Sequence, residues 1–223
     1  MIRLFLIDAL GNLALFGLAF YWLGLPASST GNLILSAALA LVILILAAYL
    51  IALAFNRDPR QSLARIPAIL CWMSLLVPVA AAFFIASNYV DDLDQWVNSA
   101  LTMATRTPVH LKYFGKVLAA LLVIVLIRLL LPVAARAADA GVDGLRDWRP
   151  VKLSTGYLIT TALYLALGLW LPYTLFWWIP EIGSFTGQML SATLRIGAAF
   201  ALYVGAWLLF AGYVRGQALS PER

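Results

Sequence analysis

The chain has 223 residues, of which 64% are hydrophobic and 11% are charged. A soluble domain carries about a quarter charged residues and under half apolar residues, and a core of this size could not bury the excess. The composition therefore excludes a soluble protein. The net charge of +5 does not indicate a nucleic-acid partner, because the basic residues lie at predicted helix ends rather than in one patch.

Six apolar segments reach the length of about 20 residues that a spanning helix needs. In chain order they cover residues 5–25, 33–55, 66–85, 117–137, 157–179 and 189–213. Pro78, Pro132 and Pro172 predict kinks in the third, fourth and fifth segments. The predicted fold is an all-α transmembrane bundle that forms a single domain over residues 1–223, with no soluble domain.

The basic residues predict the orientation of the bundle. Lys and Arg are concentrated at both termini and in the 56–65 and 138–153 loops, whereas the opposite loops hold only Arg106, Lys112 and Lys116. Basic residues of short loops are retained in the cytoplasm, so both termini are predicted to be cytoplasmic. The Ala- and Leu-rich spans, compact loops and lack of glycosylation sequons favour a bacterial inner (plasma) membrane.

The first segment and the last hairpin each leave an alternative open. Arg3 and Ala27 fit a signal peptide, but Asp8 interrupts the apolar region and the length favours a retained span. Residues 22–39 and 178–194 share an order of Trp, Pro, Ser/Thr-Gly and Leu-Ser-Ala. This order is either a parallel repeat, as in some transporters, or the usual composition of outer turns.

The outer 88–116 loop contains a predicted amphipathic helix. Leu93, Val97 and Leu101 recur at helical spacing, and Asp91 and its acidic neighbours stand in the first turn, where carboxylates cap free amide groups. A short interfacial helix explains this pattern better than a cation site does.

Ionisable residues inside the spans are the first candidates for a site, because a charge at the bilayer centre costs roughly 2.5–3.5 kcal/mol. Asp8 lies one turn into the first span with Asn12 on the same face, and Arg128 lies within the fourth span. We expect Arg128 to bond to Asp8 or Asn12. Such a contact would be either a polar gate or proton-linked switch, or an ordinary stabilising contact.

Arg195, in the sixth span, is the strongest single ligand candidate. It is expected to face the bundle interior or an outer vestibule, because a guanidinium facing lipid is costly. There it would either bind an anionic group or form a salt bridge with Glu181 in the adjoining loop.

Small residues recur along the same span. Thr193, Gly197, Ala201 and Gly205 stand at steps of four, which lets helix backbones approach closely in a membrane. The stripe predicts a tight helix pair, within the chain or between subunits.

No catalytic, metal or cofactor motif is present, and one histidine, His110, cannot form a bis-histidine haem or a zinc-protease site. We therefore expect no enzyme, no cofactor and no metal. The leading hypothesis is a channel- or carrier-type transport protein with polar residues inside the bundle. The alternative is a non-catalytic membrane-complex subunit or assembly factor. The expected partners are membrane lipids and either a second copy of the chain or another membrane subunit.

Overall fold

The computed structural model describes residues 2–26, 29–78, 81, 126–152, 154–180 and 183–220, and the secondary-structure elements formed by these residues are helices. The long helices of these residues are α1 Ile2–Leu23, α2 Thr30–Asn56, α3 Pro59–Pro78, α4 Leu131–Ala140, α5 Thr155–Trp177 and α6 Phe185–Leu219. All of them except α4 are long and apolar enough to cross a membrane.

Five predicted spans are thus confirmed as helices of spanning length. The fourth, 117–137, lies partly outside the described residues, and the predicted outer helix of the 88–116 loop lies wholly outside them. The count of six spans and the cytoplasmic side of the termini stay predictions.

The 56–65 loop is a prediction that the structure corrects. The connection is only Arg57 and Asp58, because α3 begins at Pro59. Arg57 ends α2 in a left-handed conformation with φ 66°, and its N–H donates to the Leu53 carbonyl at 2.8 Å. The Asp58 carboxylate accepts the N–H of Arg60 at 2.9 Å and so caps α3, with proline in the first helical position, where its missing N–H costs nothing.

Helix α1 has the burial pattern of a lipid-facing helix. Its buried residues are the polar Asp8 and Asn12, whereas Leu10 and Phe20 are 66% and 82% exposed. A soluble helix buries its apolar stripe instead. The reversal is stable when lipid covers the apolar face, which agrees with the membrane assignment.

The largest buried core lies at what we call the basic end, where α2 ends, α3 begins, and α4 and α6 end. Helices α2, α4 and α6 pack on one another there. The buried residues include many alanines, among them Ala52, Ala134 and Ala211, and such small side chains let helix axes approach closely.

Two of the prolines expected to kink helices follow wide helical turns. The π-helical turn Leu126–Leu130 precedes Pro132, and a second, Leu165–Trp170, precedes Pro172 inside α5. Proline lacks the N–H that would complete the preceding turn, so the backbone widens before it. Pro78 is the last residue of α3, at the edge of a described range.

Candidate functional site

The candidate site is the buried polar pair on α1. Asp8 is fully buried and Asn12 is 8% exposed. The two residues are four apart, so they lie one turn from each other on the face of α1 that packs against α2 and α6. This confirms the shared face predicted from the sequence.

The hydrogen bonds of the Asp8 carboxyl are incomplete. The Asn12 side-chain amide donates to Asp8 Oδ2 at 3.2 Å and to the Asp8 backbone carbonyl at 2.9 Å. Asp8 Oδ1 has no hydrogen-bond partner among the described residues. A buried carboxyl oxygen without a partner is uncommon in folded proteins, because its desolvation is not compensated.

Neighbouring helices enclose this pair closely. Gly11 contacts Leu50 of α2 so tightly that a side-chain carbon at position 11 would overlap the leucine. On α6, Tyr203 lies within electrostatic range of Asp8, and the Phe5 ring lies beside Gly205. Asp8 is therefore held among α1, α2 and α6.

The wide turn of α5 packs against α6 beside this site. A side-chain carbon at Gly168 would lie 3.0 Å from Cβ of Ala206 and 2.9 Å from the Tyr164 ring. Ala206 is three residues after Tyr203, on the same face of α6. The irregular part of α5 thus touches the helix that carries Tyr203.

The expected bond from Arg128 to Asp8 or Asn12 is absent from the contacts of these described residues. Arg128 Nε instead donates to the Val151 carbonyl at 3.3 Å, and the Val151 N–H donates to the Arg128 carbonyl at 3.1 Å. The Arg128 carbonyl can accept from Val151 because Pro132, four residues later, has no N–H to donate to it within the helix. Arg128 therefore fastens the segment that leads into α5.

Arg195 lies against the end of α5. Its Nη1 donates to the carbonyls of Leu175 and Trp178, the former at 3.4 Å, and so pairs two of the carbonyls left free where α5 ends. Arg195 Nε is buried and has no partner among the described residues. Glu181, the other residue of the predicted salt bridge, lies outside the described residues.

The small-residue stripe of α6 is only partly in contact with other described helices. Gly205 faces Phe5 of α1. Thr193, Gly197 and Ala201 are exposed, and the Thr193 hydroxyl donates to the Met189 carbonyl of its own helix. The contact of Gly205 with Phe5 is an ordinary van der Waals contact, and the tight helix pair stays a prediction.

A polar cluster at the basic end was not predicted from the sequence. Buried Arg136 donates to the carbonyls of Asp147, Arg149 and Ala218 at 2.9, 2.8 and 3.3 Å, and its Nε lies 3.4 Å from the Asp147 carboxylate. We call Arg136, Asp147 and Arg149 the arginine bracket. Hydrogen bonding from the Arg149 side chain lowers the pKa of Asp147 to about 2.

The bracket ties the end of α4 to the end of α6. A cavity of about 330 Å³ adjoins it, lined in part by Asp143, Leu219 and Ser220. The Arg136 guanidinium is already bonded to protein carbonyls, and Asp147 is bonded to Arg149, so these groups hold the fold together. The Asp8 carboxyl differs because half of its hydrogen-bonding capacity is unused within the described structure.

The arrangement around Asp8 can hold a proton or a small cation inside the bundle. A carboxyl can bind and release a proton, and Asn12 fixes its orientation. No group of three or more metal-binding side chains occurs among the described residues. Comparison with known protein families, with curated proteins and with solved structures finds no match to this chain.

Proposed function

We propose that the protein is a membrane transport protein that moves protons through the Asp8 carboxyl. The observation that carries the proposal is the complete burial of this carboxyl with Oδ1 unpartnered in the described structure. Ionisable residues inside spans are costly and commonly mark ion pathways and proton relays. We propose no enzymatic activity for the protein.

Within the described residues Asp8 has no cationic partner, which favours a transported ion over a fixed ion pair. No described arginine or lysine bonds to Asp8, and Arg128, the expected partner, bonds to Val151. Loss of the proton would leave a charge that only an incoming cation, water or a new proton could compensate. A carboxyl in such an environment is suited to binding and releasing protons repeatedly.

Asp8 is fully buried, so access to it requires a movement of the bundle. Asp8 lies six residues after the start of α1, about 9 Å along the helix axis. The wide turn Leu165–Trp170 packs against the face of α6 that carries Tyr203, and π-helical turns occur frequently at functional sites. We place the movement that opens Asp8 at this contact between α5 and α6.

The test is proton flux in liposomes. The purified protein is reconstituted with a pH-sensitive dye inside, and a potassium gradient with valinomycin imposes a membrane potential. We expect wild-type protein to change the internal pH and Asp8→Asn to be as inactive as empty liposomes, because the amide cannot exchange the proton.

Asp143→Asn is the matched control. It makes the same chemical change at a side chain that is 85% exposed and whose contact with Arg146, at 3.9 Å, is long. Flux should be unchanged in this variant. Wild-type flux equal to that of empty liposomes, or equal flux in Asp8→Asn and wild type, would overturn the proposal.

A second candidate function, a non-catalytic subunit or assembly factor, is favoured by the exposed face of Thr193, Gly197 and Ala201. No described helix packs over this face, and small residues there suit a closely packed helix. Native mass spectrometry of the protein extracted from its own membrane separates the two. A different polypeptide in fixed ratio supports the subunit, whereas the protein alone or as a homo-oligomer supports transport.

The setting we propose is a bacterial inner membrane with both termini in the cytoplasm. The basic end would then face the cytoplasm, as the distribution of Lys and Arg predicts. Cysteine-accessibility labelling at Ser220 and Ser29 tests this orientation, since the two positions would lie on opposite sides.

A further inference from the structure

The turn between α2 and α3 has an unusual backbone. Arg57 is the one non-glycine residue with positive φ among the described residues, at 66°. Glycine or asparagine is the usual choice at this position of a helix end, because the left-handed backbone is unfavourable for most other residues. An arginine at a position that favours glycine suggests that the arginine side chain has a specific role there.

The structure makes room for that side chain on α6. The Arg57 guanidinium lies against Gly212, and a side-chain carbon at position 212 would overlap it. The glycine thus allows the end of the guanidinium, at Nη2, to approach the helix backbone. Arg57 itself is exposed.

A second guanidinium contacts the same end of α2. Arg215 is three residues after Gly212, which places it on the same face of α6. Its Nη1 donates to the carbonyl of Asn56 at 3.2 Å, the residue that precedes Arg57. Both positive groups therefore lie beside the end of α2.

A nearby carboxylate contacts Arg215, but none of the described carboxylates contacts Arg57. Arg215 contacts Asp139 at 3.4 Å, but Arg57 has no carboxylate partner among the described residues. The Asp58 carboxylate accepts the backbone N–H of Arg60 and serves as the cap of α3. Two adjacent guanidinium groups repel each other, and an anion between them relieves that repulsion.

The surroundings indicate what kind of anion fits. Arg57 follows directly after the apolar helix α2, at the level where a span meets the lipid headgroups. Leu209, on α6 one turn before Gly212, is 63% exposed, as a lipid-facing residue would be. A ligand at this position would have a phosphate for the arginines and a hydrocarbon chain for the leucine.

We propose that Arg57 and Arg215 bind the phosphate of an anionic phospholipid at the basic end. Arginine binds phosphate through parallel N–H donors, so the Arg57 guanidinium can hold two phosphate oxygens, while Arg215, which already bonds to Asn56 and Asp139, adds its positive charge. The site is independent of the proposed transport through Asp8, because Asp8 lies on α1 whereas Arg57 follows α2 and Arg215 lies on α6.

The test is lipid binding by native mass spectrometry of delipidated protein in detergent. The protein is titrated with phosphatidylglycerol, which is anionic, and with phosphatidylcholine, whose ammonium cancels the phosphate charge. We expect wild type to prefer phosphatidylglycerol and Arg57→Gln to bind it roughly tenfold more weakly, the loss of about one charge-assisted contact.

Arg60→Gln is the matched control, because Arg60 is also exposed and only three residues away, but is not part of the site. It should keep the wild-type preference. Equal binding by Arg57→Gln and Arg60→Gln, or a wild type with no preference for phosphatidylglycerol, would overturn the proposal.

Two further measurements cover misfolding and free anions. If Arg57→Gln does not fold, Arg57→Lys decides: it keeps the charge but loses the fork, so a smaller loss is expected and no loss contradicts the site. Inorganic phosphate at millimolar concentration should leave phosphatidylglycerol bound. Full displacement would show a site for a free anion rather than for a lipid.

Discussion

Arg136 at the basic end and Asp8 within α1 are both buried ionisable residues, but their hydrogen bonding differs. Arg136 is 7% exposed and bonds to three backbone carbonyls and to the Asp147 carboxylate. Asp8 is fully buried, and its carboxyl accepts one hydrogen bond, from Asn12, while Oδ1 is unpaired in the described structure.

The difference indicates which of the two buried ionisable residues has a structural role. A fully paired polar network favours one arrangement of the chain, because every alternative leaves some group unpaired. A partly paired group lowers stability and therefore needs another explanation, such as a functional one. Substitution in the arginine bracket should therefore reduce stability, whereas substitution of Asp8 should chiefly reduce transport.

The largest effect on stability is expected for Arg136→Gln. The variant would leave the carbonyls of Asp147, Arg149 and Ala218 without their donor and the Asp147 carboxylate without one of its two cations. Each buried acceptor left without its donor costs about 1–3 kcal/mol, and we expect the total loss to be about 3–5 kcal/mol. Reversible unfolding in mixed detergent micelles measures it.

Arg146→Gln is the control for that experiment. Arg146 is 84% exposed, and its contact with Asp143 is 3.9 Å long. Exposed pairs of this kind contribute little, so the variant should stay within about 0.5 kcal/mol of wild type. Equal losses in the two variants would contradict a structural role for the bracket.

A smaller loss is expected for Gly144→Ala. A side-chain carbon at Gly144 would overlap the backbone carbonyl of Arg136, and backbone cannot move aside as a flexible side chain can. Overpacking of this kind costs typically 1–3 kcal/mol. Thermal unfolding should show a lower midpoint.

Gly216→Ala is the matched control, because a side-chain carbon at that helical position meets no atom within 4 Å. Alanine is a better helix former than glycine by about 1 kcal/mol, so this variant should be as stable as wild type or more so. A Gly144→Ala variant that unfolds at the wild-type temperature would show that the 3-10 turn Gly141–Arg146, which contains Gly144, does not pack on the Arg136 backbone.

The part of this fold that could be predicted from sequence is the part set by local chemistry. Hydropathy over 20 residues identified the five helices of spanning length, and the i,i+4 spacing placed Asp8 and Asn12 on one face. The start of α3 was also encoded locally, in the Asp58-Pro59 pair. Arg60 and Arg65 obscured it, because their charges are typical of a loop.

The contacts that could not be predicted join residues distant in sequence or depend on backbone carbonyls. Arg136 donates to the backbone carbonyl of Ala218, 82 residues away. The identity of an alanine does not indicate that its backbone carbonyl accepts a hydrogen bond from a side chain. The Arg128 side chain donates to the Val151 carbonyl, and the Val151 N–H donates to the Arg128 carbonyl, which Pro132 cannot pair within the helix. Charge alone suggested a carboxylate partner for Arg128, whereas the structure supplied a backbone one.

The smallest expected effect is the contribution of Asp147 to stability in acid. The Arg149 side chain lowers the pKa of Asp147 to about 2, below the value of about 3.9 for an unfolded chain. The unfolded state therefore binds more protons in this range. The stabilisation is present above about pH 4 and is lost as the pH falls towards 2.

Asp147→Asn removes this contribution, so the variant should be less stable than wild type at pH 7 and equally stable near pH 2. Unfolding midpoints measured at both pH values provide the comparison, with Asp143→Asn expected to match wild type throughout. A difference between Asp147→Asn and wild type that stays constant down to pH 2 would mean that the shape of the side chain, rather than its charge, fastens the bracket. Because Asp147 is the member of the bracket that titrates, its acid response also separates the bracket from Asp8, whose replacement should alter proton flux without changing this acid transition.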